Sequence, residues 1–341
     1  VMAMANTSPV TDTSERAEHI AELGRQHGHA QVIPVGAITA GLAGDQPVDM
    51  AGMHTCRAAV SMFSDDGQCV QSAAVMREAL RRVAAFDGVI AQHAQDSSLA
   101  GPTACCHEGS VSTQLDLPGW PAVAESVIIA RDVQLARDTG ARLHICHLTT
   151  PEGLEVVRWA KSRGIRVTAE VTPHHLLLTT PEVTTGDTRY KVNPPLRPES
   201  TVELLREGLA DGSIDCVGTD HAPHTPSDKD KPFPLAKPGM IGLEQALGVI
   251  IETMVRPGRL DWSQVAERMS HAPARLAGLT QQGRPLAPGE PANLVLINPE
   301  KQGLVDQEAS SSLGHNNPYH GRHLPDPVVA TWWQGRQTWS R

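Results

Sequence analysis

Histidine and aspartate side chains recur at the ends of short apolar runs in this sequence of 341 residues. Four of seven such runs end on a residue of this kind. These residues are Asp66 (with Asp65 before it), His93, His147, and Asp220 (with His221 after it). Each one alone is most simply a polar strand end or a turn former. Together they offer the carboxylate and imidazole groups that bind a hard or borderline divalent ion, so the pattern predicts a metal centre.

Apolar runs alternate with amphipathic helical stretches, which is typical of repeated βα units and a parallel sheet. The seven runs are 1–5, 31–39, 59–64, 88–95, 142–149, 166–172 and 214–219. The predicted helices between them are 14–27, 71–86, 121–139, 151–163 and 200–211. Parallel barrels place their reactive groups at the carboxyl ends of the strands, where the loops converge.

The predicted fold is therefore an α/β protein, a (β/α)₈ TIM barrel. A closed barrel needs eight strands, and the first run begins at residue 1, so we expect the first βα unit to be missing. We predict an incomplete barrel domain over 1–282, including a helix-rich stretch at 242–278. Residues 283–341 are predicted to be a small β-rich appendage, part of a composite β-sandwich. The long polar loops at 100–119 and 225–240 are expected to be functional or mobile.

Composition excludes several classes of function. The formal net charge of -9 gives no basic surface for nucleic acid, and no run of eighteen apolar residues could span a membrane. The six cysteines form no C-x-x-C pair, which argues against a zinc knuckle or a disulfide framework and favours reduced thiols in the cytoplasm. These features predict a cytoplasmic enzyme that acts on a small molecule.

The segment 219–224 (TDHAPH) resembles the stretch after the last barrel strand of type I dihydroorotases, which belong to the amidohydrolase superfamily. The resemblance covers nearly the whole chain in order, and Asn-Pro-Pro-Leu-Arg at 193–197 is the other specific motif. Further similar stretches are 4–7, 63–67, 91–96, 146–149, 167–177 and 242–244.

This resemblance implies a TIM barrel of the metal-dependent hydrolase type that holds two divalent metal ions, expected to be Zn²⁺. Asp66 would bridge them, where hydantoinases use a carbamylated lysine, and it is preferred to Asp65 because the family ligand directly precedes a glycine. His93 and His147 would complete one metal's ligands. Asp220 would bind the other metal and carry the proton.

The substrate contacts implied by the same resemblance are side chains and loop backbone, namely Asn6, Asn193, His224, Pro238 and Gly239. The implied reaction is the reversible cyclisation of N-carbamoyl-L-aspartate to dihydroorotate in pyrimidine synthesis. In the hydrolytic direction, metal ions generate hydroxide and polarise the amide carbonyl. Asp220 would act first as base and then as acid towards the ring nitrogen.

One family motif is not found. Type I dihydroorotases carry His-x-His-x-Arg after the first barrel strand, which supplies two metal ligands and a substrate arginine. The only His-x-His here is 27–29, at a predicted helix end, which we interpret as a surface feature. Together with the strand count, this leads us to expect a chain without its natural beginning, with one metal site incomplete and turnover impaired.

Two other functions stay open at this stage. A hydantoinase or allantoinase is disfavoured by Asp66 in place of lysine and by Asn193. A metal-free dihydroorotase-like partner of aspartate carbamoyltransferase is disfavoured because the downstream ligands are present. A homodimer and an association with that transferase also stay open. His144 and the pair His174 and His175 are interpreted as structural, with His144 expected to face away from His147.

Overall fold

Strands and helices alternate along the first 220 residues of the computed structural model, which describes residues 1–341. The strands are β1 (Met2–Ala3), β2 (Ile33–Pro34), β3 (Met62–Phe63), β4 (Val89–Gln92), β5 (Cys106–His107), β6 (Gly119–Trp120), β7 (Arg142–Ile145), β8 (Val167–Val171), β9 (Cys216–Val217), β10 (Leu294–Ile297), β11 (Gln302–Leu304), β12 (His323–Pro325), β13 (Val328–Trp333) and β14 (Arg336–Ser340).

The α-helices are α1 (Ser14–His27), α2 (Met50–Thr55), α3 (Ala73–Ala84), α4 (Ser97–Ala100), α5 (Ser110–Gln114), α6 (Val123–Thr139), α7 (Pro151–Ser162), α8 (Pro173–Leu177), α9 (Glu199–Asp211), α10 (Pro226–Lys229), α11 (Ala246–Ile250), α12 (Trp262–Ala266) and α13 (Ala272–Leu276). π-helical turns at Ile251–Val255 and Glu267–His271 continue α11 and α12. None of these helices has both the length and the apolar composition that a membrane span requires.

Seven parallel strands follow one another around the sheet. β3, β4, β7, β8 and β9 are hydrogen-bonded in that order, β1 pairs with β2, and a bridge between Gly36 and Phe63 joins β2 to β3. Each strand lies within one of the seven predicted runs, and helices lie between them as in a βα barrel. The predicted barrel fold with seven strands is confirmed. No pairing joins β9 to β1.

Side chains alternate between the two faces of this sheet, as the strand period of two requires. On β8, Val167, Ala169 and Val171 are buried in the main core between sheet and helices. Thr168 and Glu170 lie on the opposite face, towards the barrel interior. A smaller interior cluster consists of Val35, Met62, Val89, Ala91 and Cys146.

Helix boundaries follow local chemistry, which explains why most were predictable. The Thr13 side chain accepts a hydrogen bond from Arg16 N at the start of α1, and Gly28 ends that helix in the left-handed conformation, with φ 62°. Ser72 caps α3 in the same manner as Thr13 caps α1. Pro151 occupies the first turn of α7, where its missing N–H leaves no hydrogen bond unmade.

The two long loops contain short ordered elements, which the sequence did not reveal. β5 lies within the loop 100–119 and pairs in parallel with β6, which begins at the last residue of this loop. Within 225–240, the buried Lys229 ammonium donates to the carbonyls of Lys191, Lys237 and Gly239, at 3.4, 2.9 and 3.2 Å. Burial lowers the pKa of Lys229 to about 8. One buried cation therefore holds the backbone at Lys191 and the backbone at 237–239 together beside the barrel mouth.

The last part of the chain forms small antiparallel sheets. β13 pairs with both β10 and β14, and β11 pairs with β12. This agrees in kind with a β-rich appendage, while the division at 282/283 stays a prediction.

The paired histidines of α8 give a pH-dependent term in stability. His174 and His175 are each 1% exposed, and the Nε2 atom of His174 has no hydrogen-bond partner. Burial, followed by the charge of His147, lowers the pKa of His174 from 6.5 to about 3. As the pH falls, the unfolded chain therefore binds a proton at His174 that the folded chain does not bind. This contribution to stability is complete above pH 6.5 and is lost as the pH falls towards 3.

We expect His174→Gln to reduce the loss of stability on acidification. One fewer proton is linked to unfolding, so the slope of unfolding free energy against pH should fall by about 1.4 kcal/mol per pH unit between about pH 6.5 and 4.5. Urea unfolding at several pH values measures this slope. The exposed His29→Gln variant is the control and should keep the slope of the unsubstituted chain. Equal slopes for the chain with and without His174 would contradict the expectation.

Candidate active site and metal centre

Three of the predicted ligands meet at the carboxyl ends of neighbouring strands. Asp66 follows β3, His93 follows β4 and His147 follows β7, so the parallel sheet brings their side chains to one edge. His93 Nδ1 lies 3.0 Å from His147 Nε2, and Asp66 Oδ1 lies 3.8 Å from each of these nitrogens. One oxygen and two nitrogens within 4.8 Å of one another are a donor set that fits a divalent ion.

The backbone is constrained where two of the predicted site residues lie. His147 has φ 34° and Asp220 has φ 43°, which is uncommon outside glycine. Such conformations persist only where the surrounding structure enforces them, and they are frequent at functional sites. Asp220 lies outside the three-ligand group, yet close enough for its charge to act on His147.

The neighbouring aspartate, Asp65, has a different role. Its carboxylate is 1% exposed and accepts hydrogen bonds from the N–H groups of Ile38 and Thr39, at 2.8 and 3.0 Å, and from the Thr39 hydroxyl. Asp65 thus holds the loop after β2, whereas Asp66 turns towards the two histidines.

Negative charge dominates the site. Burial opposes protonation of His147, but the carboxylates of Asp66, Asp220 and Glu170 outweigh it and raise its pKa to about 9. Burial, assisted by Asp66 and Glu170 and opposed by His147, raises the pKa of Asp220 to about 7. Burial and the charge of His147 lower the pKa of His93 to about 4. A field that holds a proton on His147 also attracts a metal cation.

The ring of His93 is oriented by Gln95. His93 Nε2–H donates to Gln95 Oε1 at 3.0 Å, which leaves Nδ1 unprotonated, facing His147 Nε2 and available as a metal-ligand atom. Asn193 Nδ2 donates to the same Gln95 oxygen at 2.9 Å. Partners of this kind fix the tautomer of a metal-binding histidine. Gln95 was not predicted as a site residue.

A cavity of about 510 Å³ opens beside these residues. Its lining includes Gln95, Trp120, Lys191, Asn193 and Pro238. Two of the five predicted substrate contacts, Asn193 and Pro238, therefore face one space that could hold a small ligand. The exposed Asn6 is engaged elsewhere, because its Nδ2 donates to Asp66 Oδ2 at 2.9 Å.

Gly239 differs from what the resemblance implied. Its N–H donates to Lys191 O at 2.9 Å, and its carbonyl accepts from Lys229 and Asn316, so neither backbone group is free for substrate. The position has φ 143°, and a Cβ there would lie 2.6 Å from His224 Nε2. Gly239 is required because it makes room for the His224 ring, whose Nε2–H donates to Pro238 O at 2.9 Å.

Asn316, from the C-terminal region, fastens the loops around His224. Its Oδ1 accepts from His224 N at 3.0 Å, and its Nδ2 donates to Ala222 O and Gly239 O at 2.8 and 3.0 Å. The side chain is 3% exposed. No local pattern around Asn316 could have indicated these contacts, because they join residues 77 to 94 positions apart in the chain.

A buried ion pair lies beneath the 193–197 motif. Arg197 is 1% exposed and donates to Glu125 Oε2 at 3.2 Å, to Thr149 Oγ1 at 3.0 Å and to His107 Nδ1 at 3.0 Å. Glu125 also accepts from Thr149 N at 2.7 Å. The pair links the loop that carries Asn193 to the end of β7, where His147 lies.

Two further histidines, His221 and His144, lie beside or on the barrel strands. His221 Nδ1 accepts from Gly242 N at 3.2 Å, so it shapes the following loop and does not join the ligand group. His144 lies on β7 and is 1% exposed, and its ring contacts Thr168 and Glu170 on the inner face of the barrel.

Comparison with known proteins supports the resemblance to dihydroorotases. The family model for dihydro-orotase-like proteins matches residues 1–153. This chain is 54% identical over 338 residues, 99% of its length, to a dihydroorotase from Streptomyces coelicolor, and it covers 79% of that protein. It is 47% identical to a dihydroorotase from Mycobacterium tuberculosis over 99% of this chain and 78% of that protein.

Solved structures give the same fold. An L-hydantoinase (dihydropyrimidinase) from Arthrobacter aurescens superposes with a TM-score of 0.86 at 26% identity, covering 98% of this chain and 76% of that one. A dihydropyrimidinase from Brevibacillus agri gives a TM-score of 0.80 at 18% identity, with coverages of 98% and 75%. From the relatives and the strand-end ligands together, we conclude that the chain belongs to the dihydroorotase family of cyclic amide hydrolases.

Proposed function

We propose that this chain interconverts N-carbamoyl-L-aspartate and dihydroorotate, in the de novo synthesis of pyrimidines. The observation that carries the proposal is the group formed by Asp66, His93 and His147 at the mouth of a barrel whose relatives are dihydroorotases. An aspartate at this position suits a dihydroorotase, where a hydantoinase would have a carbamylated lysine.

The donor set and its spacing support a divalent ion of the zinc type. Asp66, His93 and His147 would hold one ion, and Asp66 and Asp220 would contribute to a second. Relatives in the amidohydrolase superfamily are metal-dependent, and such ions supply a nucleophile at neutral pH and polarise a carbonyl.

Asp220 is proposed to move the proton. A carboxyl group with a pKa of about 7 can accept a proton from the nucleophile and return it to the ring nitrogen near neutral pH. His147 stabilises the ionised form of Asp220, while burial and the other carboxylates favour the protonated form. Asp220 can therefore be either ionised or protonated near neutral pH.

Neutral hydrogen-bond donors are proposed to hold the anionic substrate. The amide of Asn193 faces the cavity. Asn6 is hydrogen-bonded to the proposed ligand Asp66, and His224 to the carbonyl of the cavity residue Pro238. Donors of this kind bind a carboxylate without adding net charge beside the metal ligands. Pro238 contributes a wall of the cavity, and Gly239 makes room for His224.

The adjacent aspartates provide a matched test of the metal site. We expect Asp66→Asn to weaken zinc binding by more than about 100-fold, because partners that merely orient a ligand are already worth about 10- to 100-fold. Asp65→Asn should keep zinc affinity and lower stability, because a buried acceptor of several hydrogen bonds is weakened. Zinc titration calorimetry and urea unfolding of both variants measure these effects. Equal losses of zinc affinity in the two variants would overturn the assignment.

A panel of cyclic amides tests the substrate. Dihydroorotate hydrolysis above the uncatalysed background, without hydantoin or allantoin hydrolysis, supports the proposal. Turnover of hydantoin without dihydroorotate would favour the hydantoinase alternative, which the solved structural neighbours make worth testing. Absence of zinc binding would favour a non-catalytic partner of aspartate carbamoyltransferase.

The cytoplasmic location, a homodimer and an association with aspartate carbamoyltransferase stay predictions. Size-exclusion chromatography with light scattering, alone and with the transferase, measures the last two.

A further inference from the structure

A second group of metal-ligand side chains lies inside the barrel. His144 on β7, Glu170 on β8 and Cys216 on β9 project from three adjacent strands, and their donor atoms all lie within 4.8 Å of one another. The strand register produces this arrangement, since Glu170 is directly opposite Cys216 and His144 is opposite Thr168. The group shares no residue with Asp66, His93 and His147.

The imidazole of His144 is aimed into this group. Its Nδ1 is hydrogen-bonded to Thr168 Oγ1 at 2.8 Å, which fixes the ring and directs Nε2 inwards. Nε2 lies 3.2 Å from Glu170 Oε2, yet it is buried and makes no hydrogen bond of acceptable geometry. Buried polar atoms rarely lack a hydrogen-bond partner or a ligand, so we expect His144 Nε2 to bind one.

Of the other two side chains, Cys216 is buried and Glu170 is partly exposed. Cys216 is a free cysteine, 2% exposed. The Glu170 carboxylate lies over Gly218, where an added Cβ would come within 2.3 Å of it. Glycine at 218 thus provides the room that allows the carboxylate to lie beside the thiol. A simple ion pair between His144 and Glu170 would not need a buried thiol as its third member.

We propose that His144, Glu170 and Cys216 bind one thiophilic divalent cation, such as Zn²⁺, at a site separate from the catalytic ligands. Nitrogen, oxygen and sulfur donors are those that zinc takes. In a tetrahedral zinc site with bonds of 2.0 to 2.3 Å, ligand atoms are about 3.3 to 3.8 Å apart. Small side-chain movements would bring the present distances into this range, leaving the fourth position for water.

Cobalt(II) provides the test, because a cobalt–thiolate bond gives a charge-transfer absorption in the near ultraviolet that oxygen and nitrogen ligands do not give. The three proposed ligands of the first site include no sulfur. The full chain is titrated with Co²⁺, alone and as Cys216→Ser. We expect one equivalent of the thiolate band in the unsubstituted chain and none in Cys216→Ser. Cys56→Ser, at a half-buried cysteine outside the barrel interior, is the matched control and should keep the band.

Further variants separate this proposal from its competitors. His144→Gln and Glu170→Gln should each weaken the thiolate-linked binding by at least about 100-fold. Asp66→Asn should keep the band, so this proposal and the proposed catalytic metal site can fail independently. Circular dichroism shows whether each variant is folded.

Two results would overturn the proposal. One is the absence of a thiolate band in the unsubstituted, folded chain. The other is a band that survives Cys216→Ser and disappears in Cys146→Ser, since Cys146 also lies in the barrel interior.

Discussion

Replacing Asp220 by asparagine should lower kcat for dihydroorotate hydrolysis by about 10²- to 10⁴-fold, the usual contribution of a positioned general acid or base. Asparagine keeps the size of the side chain but cannot carry the proton. The substrate contacts proposed for Asn193 and His224 remain, so KM should change far less than kcat.

The pH profile makes this expectation specific. Hydrolysis requires the ionised form of Asp220, whose pKa is about 7, so activity of the unsubstituted chain should fall as the pH drops below that value. In Asp220→Asn this acidic limb should disappear along with most of the activity. Asp211→Asn, at a surface aspartate paired with Arg158, is the control and should retain both. An acidic limb that persists in Asp220→Asn would assign the titration to another group.

Replacing Arg197 by methionine should reduce the free energy of unfolding by about 3 to 5 kcal/mol, because removing one partner of a buried ion pair leaves the other charge without compensation. Glu125 is 2% exposed and would keep only its contacts with Thr149 and Thr150. Urea unfolding measures the loss.

The double variant Glu125→Gln with Arg197→Met separates the ion pair from packing. Once the unpaired carboxylate is removed, we expect a substantial part of the lost stability to return. If the double variant is no more stable than Arg197→Met, the loss comes from the cavity left by the arginine side chain. A loss of less than about 1 kcal/mol in Arg197→Met would mean that the pair contributes no more than an exposed one.

The barrel could be predicted because each βα unit carries its own local information. The run 142–149, for example, is apolar, ends in polar residues and is followed by Pro151, which starts a helix. Parallel strands then bring their carboxyl ends together whatever their distances in the sequence. This is why Asp66, His93 and His147 meet at one edge although they are far apart in the sequence.

Residues that support the ligands were harder to predict. Gln95 and Glu125 act through hydrogen bonds to residues distant in the sequence, such as Asn193 and Arg197. A polar residue near a strand end or in a helix has many ordinary explanations. The pair His144 and Cys216 becomes visible only through the register of β7, β8 and β9, which sequence periodicity does not give. The role of Gly239 follows from its distance to His224, which depends on a loop closed by Lys229.

The three hydrogen bonds of Asn316 also bear on the order in which the molecule opens. Local unfolding usually involves contiguous cooperative units, and loops at binding sites tend to belong to the least stable ones. Here the segment that carries His224 cannot detach without releasing Asn316, nearly a hundred positions further along the chain. Amide hydrogen exchange at His224 and Gly239 should therefore keep pace with exchange around Asn316. The C-terminal region would then set how long the mouth of the barrel stays assembled.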